Sequence, residues 1–424
     1  MNNSNTTAIN LSNKILRFSA KMSKGLKRSE FKLISDMQYG ILGAQNCKLS
    51  DIGRALNEKI TLKKTIERLA SGLDKFESAD VLHENHLKYA EKHINPETPF
   101  IIDGGDVNKQ YGEKFEDLGR VFDGSEGKIV KGYASVGVAA LTEQKLPIML
   151  YDHIYSHKER DFSSENTETI KALKFLKSRF GTENIRTFDR GYDRNVIFEE
   201  LIKSEVNFIV RMTSKRNVIS KGKSVNIAEL SGRFKGKISM EFKGKDGKTI
   251  YLKITNTPVE LPDFRGVKLS LVVCYGFGDE PMMLLTNVAN KQKIAKTVTK
   301  TYLLRWRIEE LYRLKKSQFG FEGFRVRSLN AIRNLSLILD VLLGFLAVMG
   351  EQVKSNQLVR TLTKLARRIY AEIPGFWLYT IANGARFCLA KWGTGIRSKT
   401  KKRTPADSQF SFFPLNPWGI DWAA

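Results

Sequence analysis

The run Tyr302-Leu-Leu-Arg305-Trp-Arg-Ile-Glu309, with Lys316 seven positions on, places one carboxylate among two cations and a phenol. Wound into a helix at about 100° per residue, these four side chains fall within roughly 60° of one another. Leu303, Leu304, Ile308, Leu311 and Leu314 then fill the opposite side. Such a stripe suits a phosphodiester, because the cations and the hydroxyl can hold phosphate oxygens while the carboxylate takes a divalent metal. The same spacing would also serve an exposed helix laced with intrahelical ion pairs. The residues that separate these two readings lie upstream.

Two aspartates each close a short apolar run that reads as a buried strand. Asp103 follows Pro99-Phe-Ile-Ile102 and precedes Gly-Gly-Asp106, and Asp189 follows Ile185-Arg-Thr-Phe188 and precedes Arg190-Gly-Tyr-Asp193. The glycines are expected to let the chain turn straight after each carboxylate. Strand ends are where an α/β sheet collects its ligands. Asp103, Asp189 and Glu309, three hard oxygen ligands, would hold two Mg²⁺ or Mn²⁺ ions with room for phosphate and water. Two such ions activate an attacking oxygen and stabilise a leaving one.

In these motifs the chain resembles the DDE transposases of bacterial insertion sequences, in the group marked by a Tyr-x2-Arg-x3-Glu-x6-Lys signature. Tyr302, Arg305, Glu309 and Lys316 match that signature, and Phe188-Asp189-Arg190-Gly191-Tyr192 looks like the second-aspartate motif of the family. The chain departs from many relatives in having Gly105, where they carry a small hydroxyl residue two places after the first aspartate. That leaves Asp106 as the alternative to Asp103, which is preferred because it directly ends the strand. The resemblance implies that Asp103, Asp189 and Glu309 are catalytic and bind metal, and that Tyr302, Arg305 and Lys316 contact phosphates near the scissile bond. Arg190 would either do the same or pair with a triad carboxylate. Trp306, on the edge of the stripe, would stack on an unpaired base or pack into the core.

Composition agrees. The 424 residues carry 70 Lys and Arg against 45 Asp and Glu, a net charge of +25 that favours a polyanionic partner. Cys47, Cys274 and Cys388 are far apart and support neither a disulfide framework nor a structural zinc site. His83, His86 and His93 read as helix-surface residues. No charged-then-apolar leader opens the chain. The most apolar stretch, Leu335 to Met349, contains Asp340 and falls short of the roughly 20 residues a membrane span needs. A cytoplasmic, nucleoid-associated bacterial protein with no membrane partner is expected.

The predicted fold class is α/β: a ribonuclease H-like catalytic core with a β-rich insertion, flanked by helical N-terminal and C-terminal regions. Periodicity supplies the α/β core, and the resemblance supplies its ribonuclease H-like character. Residues 1–95 read as a helical DNA-binding domain. Ser50 caps a helix over Leu49–Leu56 there, and Thr61 opens a second, so that Lys63, Lys64 and Arg68 face DNA if the pair is a helix-turn-helix. An ordinary helical hairpin is the other reading. The core spans 96–213 and 282–325, interrupted by the β-rich segment 214–281, where Lys-Asp-Gly-Lys at 245–248 reads as a hairpin turn. Residues 326–424 are helical and end in a basic cluster (Arg397, Lys399, Lys401, Lys402, Arg403) and a set of aromatics (Phe410, Phe412, Phe413, Trp418, Trp422).

The expected protein is a transposase that binds double-stranded DNA at its element's terminal repeats as a homodimer on paired ends. It would cut there and transfer the 3′ ends to target DNA. A transposase-derived DNA-binding protein without catalysis and a metal-dependent nuclease without strand transfer are the alternatives.

Overall fold

The computed structural model describes residues 2–124, 126–243, 249–288, 294–366, 376–393 and 395–396. The basic cluster, the C-terminal aromatics and the expected turn at 245–248 lie outside these residues.

The chain opens with α1 (Asn2–Met22), α2 (Arg28–Ala44), α3 (Leu49–Leu56), α4 (Leu62–Asp74) and α5 (Ala79–Ala90). The N-cap of α3 is Lys48 rather than Ser50, two residues earlier than expected. Asn57 ends it in the left-handed conformation, φ 48°, a role its short amide side chain tolerates. Thr61 caps α4, accepting from the Lys64 amide at 3.4 Å. Gly53 lets the two helices meet closely, since a Cβ there would lie 2.8 Å from Leu62.

The next strands are β1 (Phe100–Asn108), β2 (Gly119–Asp123), β3 (Lys128–Leu141), β4 (Pro147–Tyr155) and, after α6 (Glu165–Phe180), β5 (Arg186–Phe188). After α7 (Asn195–Lys203) comes β6 (Phe208–Arg211). Phe100, Ile101, Ile102 and Phe188 are fully buried, as strands covered on both faces require. β3 is antiparallel to β1 and β4, while β5 is parallel to β1 and β6. The order β4-β3-β1-β5-β6, with α6 and α7 as crossovers, is a ribonuclease H-like arrangement. β2 is an addition that pairs with the N-terminal half of β3.

The segment after β6 holds a small hairpin, β7 (Asn217–Ser220) and β8 (Lys223–Asn226), then α8 (Ile227–Gly232). β9 (Ile238–Lys243), β10 (Thr249–Val259), β11 (Leu269–Tyr275) and β12 (Met282–Thr286) follow. These four do not form a separate layer. β12 pairs antiparallel with β6, and β11, β10 and β9 continue outward, so the insertion extends the central sheet. Their apolar face, including Met240, Leu252, Ile254, Val272 and Leu284, is covered by α9 (Ile294–Leu303). The insertion is therefore the floor on which the helix leading to Glu309 sits.

α10 (Trp306–Arg313) and α11 (Leu329–Glu351) cross β4. α12 (Gln357–Ala366) and α13 (Trp377–Trp392) follow. α13 packs on α1, α2 and α11, and α4 also packs on α11, so the N- and C-terminal helical regions share one core. α11 is 23 residues long, longer than the apolar stretch suggested, and is apolar enough to cross a membrane by length and composition. Here it is a core helix, with almost every residue from Leu329 to Gly350 buried. His86 also differs from expectation. It is 1% exposed, its Nε2 lies 2.7 Å from the Met149 carbonyl oxygen, and burial pushes its pKa down to about 4.

Candidate active site

Asp103 sits in the middle of β1, not at its end, because Gly104, Gly105 and Asp106 stay in the strand, paired with Val136, Ser135 and Ala134. The glycines serve close packing instead of a turn. A Cβ at Gly105 would lie 2.7 Å from Ser135 Oγ and 3.6 Å from the Tyr312 ring. Asp189 does end β5, and the chain turns at once. Its Oδ1 accepts from the Gly191 amide at 2.7 Å, capping the 3₁₀ turn Arg190–Tyr192.

The helix expected over Tyr302–Lys316 is not uniform. Between α9 and α10 the backbone bonds run from i to i−3, with Arg305 N donating to Tyr302 O at 2.9 Å and Ile308 N to Arg305 O at 3.2 Å. Such an overwound turn eclipses side chains three apart, which sets Tyr302 directly against Arg305. Beyond Arg313 the chain underwinds into a π turn, Leu314–Gln318. The stripe is therefore split. Arg305 and Glu309 stay together, but Tyr302 is only 5% exposed, buried over the extended sheet, with its pKa raised by that burial. Lys316 leaves Glu309 and pairs with Asp106 at 2.8 Å and Glu322 at 3.3 Å.

Arg305 is the hub of what remains. One guanidinium nitrogen donates to Asp103 Oδ2 at 2.9 Å and another to Glu309 Oε1. Burial works against its charge, but Asp103, Tyr302, Glu309 and Asp189 hold it protonated. Burial also pushes the Asp103 carboxyl up to about 7; Arg305 opposes that rise, and the charges of Asp189 and Glu309 add to it. Asp103 thus feels both Asp189 and Glu309. Asp106, tied to Lys316, is set apart from them, which favours Asp103 as the first acid.

The three acids are of the right chemical type for divalent cations. Among the described residues no group of three such side chains converges on one ion-sized point, and the Arg305 guanidinium stands between two of them. The donors fit a divalent cation in chemical type alone, and in this conformation Arg305 supplies the balancing charge.

A groove of about 650 Å³ opens beside Asp103 and Asp189, lined also by Arg120, Phe122, Ile129, His157 and Arg194. Arg190, next in the chain to Asp189, is exposed. Trp306 is half-buried, with the Arg307 guanidinium 4.2 Å from its ring centroid. Lys63 and Lys64 are exposed on α4. Arg68 is not presented outward as expected: it holds Asp36, which is fully buried, at 2.9 Å and Glu58 at 2.7 Å.

Two groups were missed in the sequence. Tyr312, three places after Glu309, passes its ring over Gly105 and Gly137 and donates to the Asp103 carbonyl oxygen at 3.1 Å. Lys315, beside Lys316, turns inward to Asp152 at 2.7 Å and Asp340 at 2.8 Å, anchoring the π turn to β4 and α11. The only sequence signal for the second was a charged residue, Asp340, within an apolar helix.

The fold and site define a ribonuclease H-like core with acids from two central strands and a following helix. Residues 141–343 match the family model of the transposase DDE domain, a span that includes Asp189 and Glu309 and begins after Asp103. No curated protein matches the chain. Among solved structures, a cryo-EM structure of a piggyBac transposase synaptic complex with hairpin DNA aligns over 91% of this chain and 78% of that chain, with a TM-score of 0.46 and 10% identity.

Proposed function

We propose that this chain is a DNA transposase that binds the terminal repeats of its element, cuts the DNA and joins the 3′ ends to a target. The observation that carries the reading is the Arg305 guanidinium joining Asp103, at 2.9 Å, to Glu309, with Asp103 and Asp189 lining one groove, while the span from 141 to 343, which holds Asp189 and Glu309, matches the transposase DDE domain. When bound, two Mg²⁺ or Mn²⁺ ions would activate the attacking oxygen and stabilise the leaving one. Asp103, Asp189 and Glu309 would hold them.

The remaining residues bind and orient. Arg305 is placed to pass from the carboxylates to a phosphate oxygen, since a guanidinium serves either in the same fork geometry. Arg190, exposed beside Asp189, would meet the backbone on the same side. Lys316 would contact phosphate from the Asp106–Glu322 side, and Trp306 would stack on an unpaired base near the cut end. Tyr302, being buried, would act on phosphate through Arg305. Lys63 and Lys64 would bind the repeat away from the cut, and assembly would be a homodimer on paired ends.

The test is incubation of the protein with labelled duplex carrying the terminal repeat, with Mg²⁺ or EDTA, beside Asp189→Asn and Glu309→Gln. Metal-dependent cutting at the repeat boundary, absent in both variants while repeat binding persists, is expected. Free ends without strand-transfer products would make the protein a nuclease. Binding without cutting under every metal tried would make it a non-catalytic DNA-binding protein.

A further inference from the structure

The β2–β3 hairpin carries two large apolar side chains into solvent. Phe122 is 64% exposed and Ile129 69% exposed. They are Cα partners across the hairpin and so stand side by side on one face. Side chains of this size are ordinarily withdrawn from water, so their exposure here leaves apolar area for a partner to cover. Both line the groove whose other end holds Asp103 and Asp189.

The strand register sets their distance from the acids. β3 pairs Gly137 with Asp103 and Ile129 with Phe122. The eight steps from residue 129 to residue 137 span about 26 Å at roughly 3.3 Å per residue. Along a duplex rising about 3.4 Å per base pair, that is about eight base pairs. The charges around the pair suit a polyanion. Arg120 and Lys131 are exposed beside it, Glu126 and Lys128 pair with each other at 2.5 Å, and His157 and Arg194 line the same groove.

We infer that Phe122 and Ile129 form an apolar wedge that enters the minor groove and unstacks one base step of duplex DNA about eight base pairs from the phosphodiester held at Asp103. The inference rests on the reading of the site as a DNA-cutting centre, and it adds a second contact that shapes the duplex. Wedges of this type kink DNA by about 20–90°. A kink here would fold the flank of the duplex along the groove while its scissile phosphate stays at the acids.

The experiment uses the full chain and duplexes that carry the terminal repeat and its flank, with 2-aminopurine placed singly at successive positions on both sides of the cut. A fluorescence rise is expected at one step about eight base pairs away. Phe122→Ala combined with Ile129→Ala should abolish the rise while leaving thermal stability and repeat binding in place, and Phe122→Trp should retain it. A complex that cuts the DNA with no unstacked step in that window overturns the wedge and leaves the catalytic reading standing. Unstacking at the step by a protein that never cuts retains the wedge and removes the catalytic reading. A double variant that loses self-association but unstacks the DNA as before assigns the pair to a second copy of the chain and overturns the wedge.

Discussion

The ring of Tyr312 occupies a notch that exists only because residue 137 is glycine: a Cβ at Gly137 would collide with the phenol oxygen. That oxygen donates to the main-chain carbonyl of Asp103 at 3.1 Å, so α10, β1 and β3 are fastened at the residue that carries the first acid. Gly137→Ala should displace the ring and cost about 1–3 kcal/mol, the usual penalty of overpacking. Tyr312→Phe keeps the ring and should cost only about 1 kcal/mol, for one lost hydrogen bond. Urea denaturation of both variants checks the difference. Cutting of repeat DNA should fall further in Gly137→Ala than in Tyr312→Phe.

Arg68 and its neighbours on α4 should separate cleanly. Arg68→Ala would leave Asp36 buried without the guanidinium, with Lys32 still 2.8 Å away. The expected cost is about 2 kcal/mol, below the 3–5 kcal/mol of a buried pair broken outright, because one cation stays. Lys63→Ala and Lys64→Ala should leave stability unchanged, and each should lower the slope of log binding against log salt by about 0.9 if it contacts a phosphate. Equal thermal stability for Arg68→Ala and wild type would contradict the structural role, and an unchanged salt slope would remove the two lysines from the interface.

What was legible in the sequence was local. The apolar run before Asp189 and the turn after it follow from residue types alone. Asp103 was misplaced because Gly-Gly reads as a turn when the side chains that need the space, Ser135 and Tyr312, are distant in sequence. The stripe on the Glu309 helix assumed one uniform pitch; the i to i−3 turn at Arg305 and the π turn after Arg313 arise from packing on the extended sheet and on Asp152 and Asp340. The insertion was recognised as strands and the chain from 282 on as a return to the core, but which strand β12 joins is set by long-range pairing that nothing local dictates. Arg68 looked like a surface cation because its partner Asp36 lies a whole helix away.

Divalent metal should stabilise the folded chain if the acids bind it. Binding to the native state alone raises stability by about 2.7 kcal/mol at a hundred times the dissociation constant. Thermal unfolding with Mn²⁺ or Mg²⁺ and after EDTA treatment should therefore show a rise with metal and its reversal on removal. Asp189→Asn should abolish the rise. An equal rise in that variant would place the metal elsewhere in the chain.

Asp340 should give stability an alkaline weakness. Burial pushes its carboxyl up to about 8 from 3.8, Lys315 opposes that rise, and the charge of Asp152 adds to it. Burial works against the Asp152 charge as well, but Lys315 and Ser336 hold its pKa below the ordinary value. His83, His86, His153 and Arg333 line the cavity beside the pair, and Tyr312 packs against it from α10. Between pH 3.8 and about 8 the folded chain keeps a proton on Asp340 that the unfolded chain has lost. Its contribution to stability is thus complete below the lower value and disappears as pH rises through the upper one. Asp340→Asn leaves a one-to-one pair of Lys315 with Asp152 and removes that titration. The stability of this variant relative to wild type, from urea midpoints at pH 5 and pH 8.5, should move in the variant's favour as pH rises, by on the order of a few kcal/mol. A difference that is flat with pH would mean that Asp340 is ionised throughout, with Lys315 balancing both carboxylates at once.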